Sequence, residues 1–92
     1  MDVQNKIAAV PDDIIRRDID STSVLLNLEN GRYYSLNSTG AFAFSLFDGK
    51  TSISQVASRI ADAFCVEQAE ALKDLEDLVV ELHKEGLVEL HD

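Results

Sequence analysis

Two histidines, one cysteine and a scatter of carboxylates are the side chains that could do chemistry in this chain, and their spacing argues against it. His83 and His91 lie eight residues apart with Gly86 between them, and neither has a second histidine or a cysteine at zinc-ligand spacing. Cys65 follows Phe64 at the end of an apolar helical face. No histidine lies near it in sequence and no local base would lower its pKa, so it reads as a small packed residue rather than a nucleophile. The adjacent acids Asp12-Asp13 and Glu76-Asp77 point to different faces of any regular element and read as solvated surface. No glycine-rich phosphate loop, GxSxG or HExxH motif occurs. The expectation is no catalytic residue, no metal site and no cofactor.

What remains is the chemistry of the backbone. Tyr33-Tyr34-Ser35-Leu36 is a short strand with no charge or proline of the kind that protects a sheet edge. Such an edge either is covered by the N-terminal arm or accepts an added strand from a peptide.

Composition narrows the partners. With 92 residues, 46% of them hydrophobic, the chain has room for one domain and one core. It carries a net charge of −9. Residues 67–92 hold nine acids against Lys73 and Lys84, a net of −7. That end repels nucleic-acid phosphates and anionic lipid, and favours neutral or basic partners. No apolar run approaches the roughly 18 residues of a membrane span, and Met1 to Val10 lacks the layout of a signal peptide. A lone cysteine fits a reducing compartment, so the expected location is cytoplasmic.

The elements that would position the edge can be read in order. Residues 1–11, ending at Pro11, read as a loosely held lead-in, and residues 12–92 as the domain proper. Ile14 to Ile19 is a possible strand, and Asp20-Ser21-Thr22-Ser23 has turn chemistry. Val24 to Leu28 alternates, and Asn30-Gly31 separates it from the strand Arg32 to Leu36, a hairpin signal. A three-residue loop, Glu29 to Gly31, would put Val24, Leu26, Leu28, Tyr34 and Leu36 on one apolar face. A two-residue loop would set Tyr34 and Leu36 on the other face from Leu26. Asn37 or Ser38 can cap a helix carrying Ala41, Phe42, Phe44, Leu46 and Phe47, which Asp48-Gly49 ends. Ser52 and Gln55 match a capping box, opening a helix with Ile53, Val56, Ala57, Ile60, Ala61 and Phe64 on one face. A third helix runs from about Glu67 to Glu85, stopped by Gly86, and Leu87 to Leu90 forms an extended tail. The fold class is α+β: a three-stranded antiparallel sheet followed by three helices, winged-helix-like.

On the third helix Leu75, Leu78, Val79 and Leu82 form the core stripe. The arc Leu72, Val79, His83, Glu76, Val80 makes a mixed shoulder that could wall a shallow groove, or simply expose one valine to water. A winged-helix transcriptional regulator is the rival reading. Its recognition helix would need bases, where this helix carries Glu70, Asp74, Glu76, Asp77, Glu81 and Glu85.

Val24-Leu25-Leu26, Gly31-Arg32-Tyr33-Tyr34-Ser35-Leu36-Asn37, Thr39-Gly40-Ala41, Leu46 to Thr51 and Leu82 to Val88 together resemble the PqqD-like family, the RiPP recognition elements. The resemblance spans about Asp12 to Leu90 and is most specific from Gly31 to Gly49. It implies a module that binds the leader of a ribosomally made precursor peptide and presents it to modifying enzymes. It also implies that the leader pairs with the strand Arg32, Tyr33, Tyr34, Ser35, Leu36 and packs on the third helix, carried over by helical phase to Leu72, Glu76, Val79, Val80 and His83. On that placement Val80→Asp should weaken binding. The Gly-Arg-Tyr-Tyr…Leu-Asn…Thr-Gly-Ala run looks most like the lasso-peptide stand-alone proteins, whose partners are a leader peptidase and a cyclase. A PqqD-type chaperone for a radical-SAM enzyme is the alternative setting.

Overall fold

The computed structural model describes residues 3–20 and 22–91. In chain order the elements are β1 (Ile7–Ala9), β2 (Ile14–Ile19), β3 (Thr22–Asn27), β4 (Tyr33–Leu36), α1 (Ser38–Ser45), β5 (Asp48–Ser52), α2 (Ile53–Phe64), α3 (Gln68–Lys84) and β6 (Glu89–His91). The expected antiparallel sheet of β2, β3 and β4 and the three helices are present, so the fold is α+β. A second antiparallel sheet, in the order β5-β1-β6, joins them.

That second sheet corrects the view of the first eleven residues as a loose lead-in. β1 is its central strand, pairing Ile7 with Ser52 on one side and with His91 on the other. Val3 and Ala8 are fully buried. The amides of Ile53 and Ser54, at the start of α2, donate to the carbonyls of Lys6 and Gln4. The segment is held because it satisfies backbone groups that β5, β6 and α2 would otherwise leave open.

The helices start and stop where their capping chemistry dictates. Asn37 caps α1 by accepting from the Gly40 amide at 2.8 Å. Ser52 and Gln55 form the reciprocal capping box of α2. Beyond α3, Gly86 takes a positive φ of 74°, which a side chain would strain. The core gathers Leu25 and Leu36 from the first sheet, Phe44 and Phe47, the inner faces of α2 and α3, and Leu87 and Val88.

The hairpin register differs from the one expected. Asn27 N–H donates to the Arg32 carbonyl and Gly31 N–H to the Asn27 carbonyl, so the loop has four residues, Leu28 to Gly31. Leu25 pairs with Tyr34 and Ser23 with Leu36. The inward face of β3 is therefore Ser23, Leu25 and Asn27, and the Val24-Leu26-Leu28 series faces outward. Two of those inward positions are polar and buried, satisfied by hydrogen bonds: Ser23 donates to Asp18, and the Asn27 amide to the Gly86 carbonyl. Thr22 and Ser23, whose side chains favour a turn, belong to β3, while Ser21 of the expected turn lies outside the described residues.

Candidate peptide-binding groove

β4 is an edge strand, hydrogen-bonded to β3 on one side only among the described residues. Its register decides which backbone groups are available. Opposed residues in an antiparallel pair alternate between bonded and non-bonded pairs. The Asn27–Arg32 bond makes Arg32, Tyr34 and Leu36 the residues whose amides and carbonyls turn toward β3. Tyr33 and Ser35 then turn theirs outward. The edge thus offers two donors and two acceptors in the spacing of a strand.

Beside that edge lies a groove of about 390 Å³. Its β4 wall is Tyr34, Ser35 and Leu36, one end is the first turn of α1, and its floor includes Ala43, Ile60, Ala71 and Leu75. Phe64 and Val66, at the α2–α3 junction, also line it, and both are more than a third exposed. The α3 wall is Glu70, Asp74 and Leu78. The groove therefore has an apolar bed and one acidic bank, next to an unpaired strand edge.

At the other end the strand and helix are tied together. Arg32 Nη1 meets both carboxylate oxygens of Glu85, at 2.6 and 2.9 Å. Partial burial, then the facing carboxylates of Glu81 and Glu85, push the Tyr34 phenol above its ordinary value. The exposed Arg32–Glu85 pair stabilises little, up to about 1 kcal/mol, but it ties the start of β4 to the end of α3, beside a second depression that shares Tyr34 with the groove.

The expected site residues divide into two groups. Arg32, Tyr33, Tyr34, Ser35 and Leu36 lie together on the open strand, with Arg32 engaged by Glu85 rather than free for a ligand. The helix set does not join them. Leu72, Glu76, Val79, Val80 and His83 line neither this groove nor the more open depression at Arg32 and Tyr34. Val79 is fully buried in the core, and His83 borders a separate hollow with Pro11, Ile14, Gly86 and His91. At 100° per residue, Glu70, Asp74, Leu78, Glu81 and Glu85 fall on one flank of the core stripe, and Leu72, Glu76, Val80 and His83 on the other. Periodicity marks both flanks and does not say which one the sheet edge adjoins. The groove-lining Phe64 and Val66 were legible only as apolar residues at a helix end.

The family model described as coenzyme PQQ synthesis protein D (PqqD) matches residues 22–88. The chain belongs to the PqqD family. Among solved structures similar to it is TbiB1 in complex with the TbiA(beta) leader peptide, at 26% identity and a TM-score of 0.78, covering 88% of this chain and 94% of that one. A lasso peptide synthetase B1 complexed with its leader peptide matches at 27% identity and a TM-score of 0.78, covering 89% and 96%. The PqqD part of Methylobacterium extorquens PqqCD, a stand-alone RiPP recognition element, shares the fold at 21% identity and a TM-score of 0.76, covering 90% and 88%. No curated protein sequence matches the chain significantly. No helix among the described residues is long and apolar enough to cross a membrane.

Proposed function

We propose that this PqqD-family chain captures the leader segment of a ribosomally made precursor peptide as a fourth strand on β4 and holds it for a modifying enzyme. The observation that carries this reading is the coincidence of the outward-facing backbone of Tyr33 and Ser35 with an apolar groove at their side. Strand addition takes its register from main-chain hydrogen bonds and its selectivity from pockets for alternate side chains. Here the alternate side chains on the Tyr34 and Leu36 face enter the groove, toward Leu75, Leu78, Phe64 and Val66. A lasso-type precursor is favoured, because a lasso synthetase protein complexed with a leader is nearer in sequence than the PqqD structure. The leader peptidase and cyclase of such a system would be the enzymes served, and the reading gives this chain no catalytic step of its own. We assign the whole of residues 3–91 to the binding unit, since β1 is built into it.

Ser35→Pro tests the backbone part of the proposal. The Ser35 amide faces away from β3, and an edge strand tolerates proline where the missing N–H faced solvent. The variant should fold, lose one bond to the added strand and obstruct its approach, with leader affinity falling at least tenfold. A folded Ser35→Pro that binds the leader as tightly as the parent would remove β4 as the docking edge.

A further inference from the structure

The sheet that offers its edge to a peptide also has a face that no other element among the described residues covers. Away from the helices, β2 presents Ile15, Arg17 and Ile19, β3 presents Thr22, Val24 and Leu26, and β4 presents Tyr33 and Ser35. Ile15, Leu26 and Tyr33 stand directly opposite one another across the three strands, forming one continuous apolar row. All three are exposed, as is Leu28 beside the row; Ile19, also exposed, lies on the same face beyond Arg17. Scattered single apolar residues on a surface need no explanation, but a contiguous row does. In a chain carrying seventeen acids, none of these eight strand positions is acidic. The acids sit instead at the strand ends, where Asp12, Asp13, Asp20 and Glu29 are exposed. An apolar centre inside a charged border is the anatomy of a protein–protein interface.

Continuity and charge together select the occupant. The row ends at Tyr33, on the strand whose free edge faces the groove. A peptide added there extends this face by one strand, so half of its side chains would stand beside Tyr33. A protein seated on the face would therefore meet the captured peptide and this chain at once. A second copy of the chain is disfavoured, because two molecules of net −9 repel and the acidic borders would face each other.

We propose that this outer face, centred on Ile15, Leu26 and Tyr33, is the docking surface for the enzyme that takes over the bound precursor. That enzyme would present an apolar patch bordered by lysine or arginine. The proposal rests on the leader-capture reading. Ile15 lies on the strand farthest from the β4 edge, two strand spacings or about 9–10 Å away, so it can be changed without touching the groove.

The test uses the full chain, its synthetic leader peptide and its cognate leader peptidase. Ile15→Lys puts a cation opposite the expected basic border. It should keep the parent's melting temperature and leader affinity while weakening peptidase association at least tenfold. Val80→Lys, on the helix flank away from both surfaces, should change neither. A parent protein that binds leader but not peptidase, or an Ile15→Lys variant that binds both as the parent does, overturns the docking surface alone. A parent that sediments as a dimer, broken by Ile15→Lys, overturns the choice of occupant. A parent that does not bind leader overturns the capture reading first, in a titration that contains no peptidase.

Discussion

Val66 and Val80 make a matched pair for locating the peptide. Both are valines, 39% and 36% exposed respectively, and only Val66 lines the groove. Replacing each by asparagine removes an apolar contact without adding charge beside the acidic bank of Glu70 and Asp74. Full burial of a valine side chain is worth about 1.5–3 kcal/mol, so covering the exposed two-fifths of Val66 is worth roughly 0.6–1.2 kcal/mol. The peptide surface covered in return contributes a similar amount. Losing both comes to roughly 1.2–2.4 kcal/mol, or a rise in Kd of about sevenfold to fiftyfold. Val80→Asn loses no peptide contact, so its affinity should stay near the parent's. Each variant gives up the buried three-fifths of a valine side chain, roughly 1–2 kcal/mol of stability, so both should melt below the parent by a similar amount. The assay is fluorescence-polarisation titration of a labelled leader peptide, with thermal melts to confirm folding. Equal affinities for the two variants would refute the placement of the groove. Weakening at Val80 alone would return the helix wall to the Leu72–His83 flank.

Two predictions concern what holds the site in place. Asn37→Ala removes the cap at the start of α1, a loss of about 1 kcal/mol that should lower the melting temperature by roughly 4–8 °C; an unchanged melt would mean that the Asn37–Gly40 bond contributes nothing. Asp48 accepts from the amides of Lys50 and Thr51, which lowers its pKa below the ordinary carboxylate value. A depressed folded pKa contributes stability that is complete above the unfolded value and is lost as pH falls through the folded one. Urea unfolding from pH 6 to pH 2 should therefore show an acid limb below about pH 4 that Asp48→Asn flattens, and an identical limb in both proteins would contradict the role given to that carboxylate.

Much of the fold could be read because local chemistry and packing agreed. The Ser52–Gln55 box, the Asn37 cap, the Gly86 stop and the period of α2 and α3 each mark a boundary without help from tertiary structure. The hairpin misled where they disagreed. Val24, Leu26 and Leu28 look like the buried face, but Ser23 and Asn27 take it, their polar groups satisfied by Asp18 and by the Gly86 carbonyl fifty-nine residues on. Binary pattern carries no sign of a long-range hydrogen bond that makes a buried asparagine tolerable. The second sheet was hidden for another reason: Asp48-Gly49-Lys50-Thr51-Ser52 has little strand propensity and is ordered by its pairing with β1. The open strand beside the proposed groove was legible in the run Tyr33 to Leu36. The helix flank that adjoins it was not, since a helical wheel has two flanks and only the path of α3 against β4 chooses between them.

The central claim is that a peptide becomes a strand on β4, and amide hydrogen exchange at single-residue resolution tests it most directly. In the free protein the Tyr34 and Leu36 amides, turned toward β3, should exchange slowly, while those of Tyr33 and Ser35 exchange fast. Saturating leader peptide should slow Tyr33 and Ser35 by at least an order of magnitude and leave Val80 and His83 unchanged. Tyr33 and Ser35 amides that still exchange at the free rate in a saturated complex would show that the peptide binds without joining the sheet.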